Sequence, residues 1–304
     1  MRILDFVRPK ELSRVAALQL LAREVVEGYC SGKHRSPHKG FSVEFKEHRQ
    51  YVPGDELKNI DWKVFAKSDR LYIRQYEEET NLRCTLLVDQ SGSMAYGGQS
   101  GGEPKRVSKR DYAIRLAAAM SYFMLGQQDP VGLMTFDNAI RQEVPMRSRA
   151  SHLRAVLTAL VAEDKRRESD LGTVFRKIVP KVGRRGLVVI LSDSMGDPDS
   201  ISRALAQLRA KNHEVIFFQI LDPDEVTFPF SGRVQFQDLE SALPNQTVDA
   251  SAFRSLYQKR LADHNEAIRA ACRRSRVDLI PLTTDRPFEE VLHEYISARR
   301  RVRG

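Results

Sequence analysis

Five short, mostly apolar segments limit the folds open to this chain more than any other feature of its sequence. They span residues 84–88, 131–136, 186–191, 215–221 and 277–282, and none alternates strictly between polar and apolar residues. Strands of this kind are buried on both faces, as in parallel sheets. Segments with helical periodicity, such as 111–127, 199–211 and 253–275, lie between them. We therefore predict an α/β fold with a doubly wound, mostly parallel sheet covered by helices on both faces.

The first 80 residues have a different pattern and are predicted to form a small α+β unit. Residues 11–27 carry apolar side chains at helical spacing, while Phe41, Val43 and Phe45 alternate with polar residues as in a half-buried strand. We place this unit at residues 1–80 and the larger domain at residues 81–304. Within the larger domain, residues 226–239 interrupt the α/β order and are predicted to form an inserted hairpin.

Charge and cysteine usage narrow the functional classes. The formal net charge is +9, but the basic residues are scattered and no aromatic-rich basic strand accompanies them, so nucleic-acid binding is not favoured. A basic surface also suits an acidic protein partner. The three cysteines are widely spaced and have no metal-ligand spacing, which predicts reduced thiols in a reducing compartment.

The sequence predicts a cytoplasmic protein that does not insert into a membrane. Asp5, Arg8, Lys10 and Glu11 leave no apolar signal-peptide core near the first residue. The longest helical stretch without a charge, residues 116–128, is shorter than the about 20 apolar residues that a bilayer span needs.

Polar residues follow two of the predicted strands and form the candidate site. Asp89, Ser91 and Ser93 come directly after the strand at 84–88, and Asp193 comes directly after the strand at 186–191. Thr173 lies in the loop and helix start that precede the second of these strands. Ligands of doubly wound sheets bind beyond the carboxyl ends of the strands, so we expect these five side chains to meet there.

Two carboxylates and three hydroxyls suit a small, hard cation. Mg²⁺ is the predicted metal, with Mn²⁺ or Ca²⁺ as alternatives, because such ions prefer oxygen ligands and Mg²⁺ retains several waters. We expect Ser91 and Ser93 to contact the metal directly, and Thr173 to join them in one state. Asp89 and Asp193 act directly or through water. A coordination position left to water can then be taken by an Asp or Glu side chain of a protein partner.

Two simpler interpretations of these segments stay open. Asp89 and Ser91 could merely cap the turn that follows their strand. The glycines at 97, 98, 101 and 102 could form a flexible surface loop. The alternative for that loop is a mobile basic rim, with Lys105, Arg106, Lys109 and Arg110, which attracts acidic partners.

The D-x-S-x-S string at Asp89, Ser91 and Ser93 resembles the metal-ion-dependent adhesion site of von Willebrand factor A-like domains. That resemblance implies that Thr173 and Asp193 complete the site. It also implies that the domain binds proteins without catalysing a reaction. Asp193 agrees with the family pattern by its position after a strand. Thr173 departs from it, because family members often have Asp after Gly-Thr and this chain has Val174.

A longer stretch is similar to the signature of the domain-of-unknown-function-58 family, in which it precedes a von Willebrand A-like domain. The similarity implies an adaptor or chaperone-like partner of a MoxR-type AAA+ ATPase, or of its client, because family members are typically encoded beside such ATPases. Many relatives carry N-terminal transmembrane helices, which we do not expect in this chain. The matching residues are 40–45, 49–55, 60–62, Ala66, Lys67, Leu71 and Tyr76.

Two other functional classes remain alternatives. A metal-dependent phosphatase of the haloacid-dehalogenase type also has Asp at a strand end, but its D-x-D-x-T motif needs an acid two residues later. Ser91 occupies that position here and cannot act as the acid. A basic nucleic-acid-binding protein would instead show affinity that falls steeply with salt and ignores EDTA.

Overall fold

A computed structural model of the chain describes residues 14–32, 45–52, 60–76, 82–98, 106–162, 171–183, 185–236, 239 and 246–303. Its helices are α1 (Arg14–Gly32), α2 (Trp62–Ser68), α3 (Lys109–Gly126), α4 (His152–Val161), α5 (Leu171–Lys181), α6 (Pro198–Ala210), α7 (Pro223–Thr227), α8 (Ala250–Ser275) and α9 (Phe288–Arg303). Its strands are β1 (Phe45–Gln50), β2 (Tyr72–Tyr76), β3 (Cys84–Asp89), β4 (Val131–Phe136), β5 (Ile140–Arg147), β6 (Leu187–Ser192), β7 (Glu214–Leu221), β8 (Arg233–Phe236), β9 (Gln246–Asp249) and β10 (Asp278–Thr283).

The centre of the larger unit is a six-stranded sheet in the order β10-β7-β6-β3-β4-β5. All neighbouring strands are parallel except the edge strand β5, which runs antiparallel to β4. Counted along the chain, this is the doubly wound order, whose switch point lies between the first strand and the fourth. Here those strands are β3 and β6. The predicted fold class, a von Willebrand A-like doubly wound sheet, is confirmed.

The sheet has an apolar layer on each face because successive side chains of a strand point to opposite sides. Leu86 and Val88 of β3 pack in one core cluster, which includes residues of α1, α3, α4 and α9. Leu87, which lies between them, packs in the second cluster with residues of α5, α6 and α8. Burial on both faces explains why these strands appear in the sequence as unbroken apolar segments.

Helix α1 belongs to the larger unit, which changes the predicted domain boundary. Leu18, Ala22 and Val26 are buried in the core cluster that also contains α3 and α4 residues. The chain accordingly divides into Lys33–Asn81 and the remainder, rather than at residue 80. The physical reason is that the apolar stripe of α1 needs a second apolar surface, and the helices on one face of the sheet supply it.

The smaller unit contains the antiparallel pair β1–β2 and the short helix α2. Asp61 caps α2 by accepting a hydrogen bond from the backbone N–H of Lys63 at 3.0 Å. The side chain of Trp62 is 60% exposed and meets Phe65 edge-on, with 6.0 Å between ring centroids. Residues 40–44 and 53–59, which carry part of the family signature, lie outside the described residues.

The inserted hairpin lies later in the sequence than expected. Residues 223–227 form α7, and the paired strands are β8 and β9, with Arg233 opposite Asp249. Phe228 adopts a left-handed backbone conformation (φ 49°) directly after α7. Its ring centroid lies 4.7 Å from that of Tyr257 in α8 and 6.0 Å from that of Phe236 in β8, so an aromatic cluster packs the hairpin against this helix.

Gly186, at the start of β6, is required by a close backbone contact. A Cβ at this position would lie 2.4 Å from the carbonyl oxygen of Arg83, whereas a Cβ at Gly183 would meet nothing within 4 Å. We expect Gly186→Ala to lower the free energy of unfolding by about 2 kcal/mol. Gly183→Ala, the matched control, should change it by less than about 0.5 kcal/mol. Equal urea midpoints for the two variants would contradict this prediction.

Two findings concern the predictions about membranes and thiols. Within the described ranges, the chain has no helix that combines the length and the apolar character needed to cross a bilayer. Cys84 and Cys272 are buried free thiols.

Candidate functional site

Asp89 ends β3 at the switch point of the sheet and is almost completely buried, with 1% of its surface exposed. Its Oδ1 accepts a hydrogen bond from the backbone N–H of Ser91 at 2.9 Å. Its Oδ2 accepts one from the hydroxyl of Ser192, at the end of β6, at 2.6 Å. These two neutral donors hold the carboxylate between neighbouring strand ends.

The turn after β3 brings the two predicted serine ligands together. Ser91 is fully buried, and its hydroxyl oxygen lies 3.1 Å from that of Ser93. Ser93 begins a single 3₁₀ turn, Ser93–Ala95. Two hydroxyls are thereby presented beside the Asp89 carboxylate.

Asp193 follows β6 and is buried to the same degree as Asp89. Its Oδ1 accepts from the backbone N–H of Met195 at 3.0 Å, and a hydrogen bond from the Ser93 side chain helps to lower its pKa. The structure therefore brings Asp89, Ser91, Ser93 and Asp193 into one group, although they come from two stretches about a hundred residues apart.

The two carboxylates have opposite pKa shifts. Burial, followed by the charge of Asp193, raises the pKa of Asp89 from 3.8 to about 7, and the hydrogen bonds from Ser192 and Ser91 only partly offset this. Burial is the largest influence on Asp193 and acts to raise its pKa, but the charge and hydrogen bond of Lys109, together with the hydrogen bonds from Met195 and Ser93, outweigh it and the pKa is lowered. Asp89 is thus the carboxylate whose negative charge is least compensated by its surroundings.

The cation beside Asp193 is Lys109, the first residue of α3. Its Nζ donates to Asp193 Oδ2 at 2.8 Å and to Glu225 Oε1 at 2.6 Å, and its side chain is completely buried. Burial acts to lower the pKa of Lys109, but the charges of Asp193 and Glu225 raise it. The ammonium is therefore a permanent part of this polar group.

A second ion-pair network lies next to the first and holds the chain on both sides of residues 99–105. Arg106 Nη2 pairs with Asp222 Oδ1 at 2.9 Å and with Asp224 Oδ1 at 2.5 Å. Asp222 also accepts from the backbone N–H of Gly98 at 3.1 Å. A Cβ on Gly98 would lie 2.0 Å from Asp224 Oδ2 and 2.2 Å from Arg106 Nη2, so a side chain here would displace this ion pair.

The alternative of a mobile basic rim is wrong for Lys109 and Arg106. Lys109 is buried and Arg106 is paired with two carboxylates, so neither side chain is free to attract a partner. In the structure Lys109 begins α3, where its charge opposes the helix dipole, but the sequence predicts this helix only from residue 111 and so carries no signal of this role. A cation in that position needs a nearby carboxylate, and Glu225 is one of the two that Lys109 contacts. Glu225 and Ser192 both belong to this polar group, and neither was among the predicted site residues.

Thr173 lies in the first turn of α5, where its hydroxyl accepts a hydrogen bond from Arg176 at 2.8 Å. Its contribution to the group around Asp89 stays a prediction. The helix itself is anchored by Val174 and Phe175, which are buried in the second core cluster.

The oxygen-bearing side chains at this strand edge are chemically suited to a hard cation. In the part of the chain that the structure describes, no group of three or more His, Cys, Asp or Glu side chains is placed to hold a metal ion. The oxygens at this strand edge come instead from two carboxylates and two hydroxyls. A cation here would balance the poorly compensated charge of Asp89, and Lys109 would compete with it for Asp193.

Comparison with known proteins places the chain in a family. The model of the family described as "Protein of unknown function DUF58" matches residues 47–267 of the 304. The chain belongs to the DUF58 family. An uncharacterized protein of Mycobacterium bovis, Mb1516, is similar to this DUF58 chain, with 28% identity over 300 residues covering 98% of the chain and 92% of the relative.

Solved structures similar to the DUF58 chain include BatB of Bacteroides thetaiotaomicron and the SpRpn10 VWA domain. The BatB structure has a TM-score of 0.44 at 14% identity and covers 71% of this chain and 98% of its own. The SpRpn10 domain has a TM-score of 0.39 at 14% identity and covers 69% of this chain and 93% of its own. The strand order of the sheet agrees with a von Willebrand A-like fold.

Proposed function

We propose that this DUF58 protein is a non-enzymatic binding module that grips an acidic side chain of a protein partner through a divalent cation, Mg²⁺ in the first instance. Asp89, Ser91, Ser93 and Asp193 would hold the ion, with Thr173 as a further ligand in one state. The bound ion supplies positive charge and an exchangeable position for a carboxylate. The observation that carries the proposal is the convergence of these four side chains at the switch point of the sheet.

Apolar residues exposed beside the site favour a protein over a free small anion as the ligand. Met195, two residues after Asp193, is 36% exposed, and Val226, directly after Glu225, is 42% exposed. Exposed apolar side chains rimmed by polar residues mark protein contact sites. The expected partner therefore presents Asp or Glu next to apolar side chains.

Metal binding is tested by calorimetric titration of the purified chain with MgCl₂. We expect the double variant Asp89→Ala, Ser93→Ala to lose Mg²⁺ affinity by about a hundredfold or more, since outer partners of metal ligands alone contribute 10–100-fold. Asp197→Ala, which removes an exposed carboxylate that caps α6, is the matched control and should bind as the wild type does. Unchanged affinity in the double variant would exclude this metal assignment.

The proposed partner is a MoxR-type AAA+ ATPase or its client, and the support for it is the family similarity. A pull-down of the ATPase with this chain, in the presence of nucleotide, should succeed with Mg²⁺ and fail with EDTA. Binding that survives EDTA and declines steeply with salt would favour the basic-surface alternative. Release of phosphate from an aryl phosphate, abolished by Asp89→Asn, would show a phosphatase instead.

A further inference from the structure

Lys109 is a buried cation for which the proposed adhesion site has no explanation. Its side chain is 0% exposed although it lies in the first turn of α3. Lysine is almost never fully buried without a partner, and at a helix N-terminus its charge opposes the helix dipole. A placement with these two costs indicates that the ammonium serves the carboxylates that it contacts.

The ammonium binds two carboxylates from different elements. One is Asp193 Oδ2 at 2.8 Å, and the other is Glu225 Oε1 at 2.6 Å. Asp193 is a proposed metal ligand. Glu225 lies in α7, where its Oε2 accepts from the backbone N–H of Asp222 at 2.7 Å. Lys109 therefore has one partner inside the proposed metal site and one outside it.

The balance of charge leaves room for a divalent cation. When Asp89 is ionised, Asp89, Asp193 and Glu225 contribute three negative charges and Lys109 one positive charge, so this group has a formal charge of −2. Without Lys109 the charge would be −3. Because cation affinity increases with the charge of the ligands and falls when another cation is near, Lys109 opposes metal binding.

We propose that Lys109 is a specificity-determining residue that sets the affinity of this site for divalent metal by sharing the Asp193 carboxylate. When no metal is bound, the ammonium keeps Asp193 paired. When Asp193 ligates metal, Glu225 keeps the ammonium paired, so that neither state leaves a buried charge alone. The inference rests on the proposed function, because it takes Asp193 as a metal ligand.

Two substitutions with opposite expected signs test the inference. Lys109→Met removes the charge and keeps the length of the side chain, and Mg²⁺ affinity measured by calorimetry should rise by about tenfold or more. Glu225→Gln leaves the ammonium with Asp193 as its charged partner, and the affinity should fall by about tenfold. A residue with a merely structural role would weaken metal binding in both variants.

Thermal melting supplies a second measurement that needs no partner. In EDTA, Lys109→Met leaves Asp193 and Glu225 buried without a cation, so we expect a lower melting temperature than in the wild type. Mg²⁺ should then raise the melting temperature of this variant by more than it raises that of the wild type. Glu225→Gln keeps the Lys109–Asp193 pair and should fold in EDTA, so it stays measurable if Lys109→Met unfolds.

The control is Arg141→Met, which removes a cation paired with another buried carboxylate. Arg141 Nη2 lies 2.7 Å from Asp137 Oδ2, at the end of β4. Its Mg²⁺ affinity should stay within about twofold of the wild type, because its contribution acts at a different carboxylate. A change as large as that of Lys109→Met would overturn the assignment of a specific role to Lys109.

The outcomes separate the inference from the proposed function. If the wild type binds Mg²⁺ and Lys109→Met binds it equally or more weakly, the inference fails and the proposed function stands. If the wild type does not bind Mg²⁺ but Lys109→Met does, the metal dependence of the proposed function fails and Lys109 is supported as the excluding cation. If no form binds Mg²⁺, both fail.

Discussion

Replacing Asp222 with alanine should lower the free energy of unfolding by about 3–5 kcal/mol. The carboxylate is completely buried and accepts hydrogen bonds from the Arg106 side chain, the Gly98 and Asp224 backbones and the Thr284 hydroxyl. Removing it leaves three neutral donors without this acceptor, which is the larger part of the cost, and leaves Asp224 as the remaining carboxylate partner of the Arg106 guanidinium. Urea denaturation of the purified variant measures the loss.

Asp197 gives a matched control for this prediction. Both residues precede a proline and cap a helix, Asp222 at α7 and Asp197 at α6. The side chain of Asp197 is 58% exposed, so Asp197→Ala should cost only the about 1 kcal/mol of a lost cap. The difference between the two variants isolates the buried network. Equal losses would show that Asp222 acts only as a helix cap.

In EDTA, the wild-type protein should lose stability as the pH rises from about 4 to about 7, and Asp89→Asn should not show this loss. The folded-state pKa of Asp89 is raised from 3.8 to about 7, first by burial and then by the charge of Asp193. Between these values the folded state keeps a proton that the unfolded state has released. The contribution of Asp89 is therefore fully present below the unfolded pKa and disappears as the pH rises through the folded pKa.

The expected loss of stability follows from the size of the pKa shift of Asp89. Full ionisation of folded Asp89 removes up to about 4 kcal/mol relative to its protonated form. Other groups titrate over the same range, so the measured quantity is the difference in urea midpoint between wild type and Asp89→Asn at each pH. A constant difference between pH 4 and pH 8 would contradict the raised pKa.

Ser192→Ala should raise the pKa of Asp89 further and so provides a second test of this pH dependence. The Ser192 hydroxyl donates to Asp89 at 2.6 Å and lowers its pKa. Removing the hydroxyl should raise the pKa further, so the loss of stability should move to higher pH. A shift to lower pH would contradict the assigned hydrogen bond.

The buried strands of the six-stranded sheet could be predicted from local pattern, whereas α7 and the bounds of the inserted hairpin could not. The segment at 131–136 was predicted as a strand and is β4 with the same bounds, because burial on both faces leaves an unbroken apolar signature. The boundary of the smaller unit could not be placed in this way. The apolar stripe of α1 indicates that this helix packs against another surface, but it does not identify that surface. Only the packing of Leu18 and Ala22 in the structure shows that it belongs to the larger unit.

The same distinction applies to the candidate site, of which one part can be predicted from the sequence and another cannot. Asp89, Ser91, Ser93 and Asp193 can be found in the sequence, because residues that directly follow parallel strands must gather at one edge of the sheet. Lys109 and Glu225 follow no such rule, since one begins a helix and the other lies in a short helix after β7. Which carboxylate a lysine pairs with depends on distances of a few ångströms between elements distant in sequence, and those distances exist only in the folded chain.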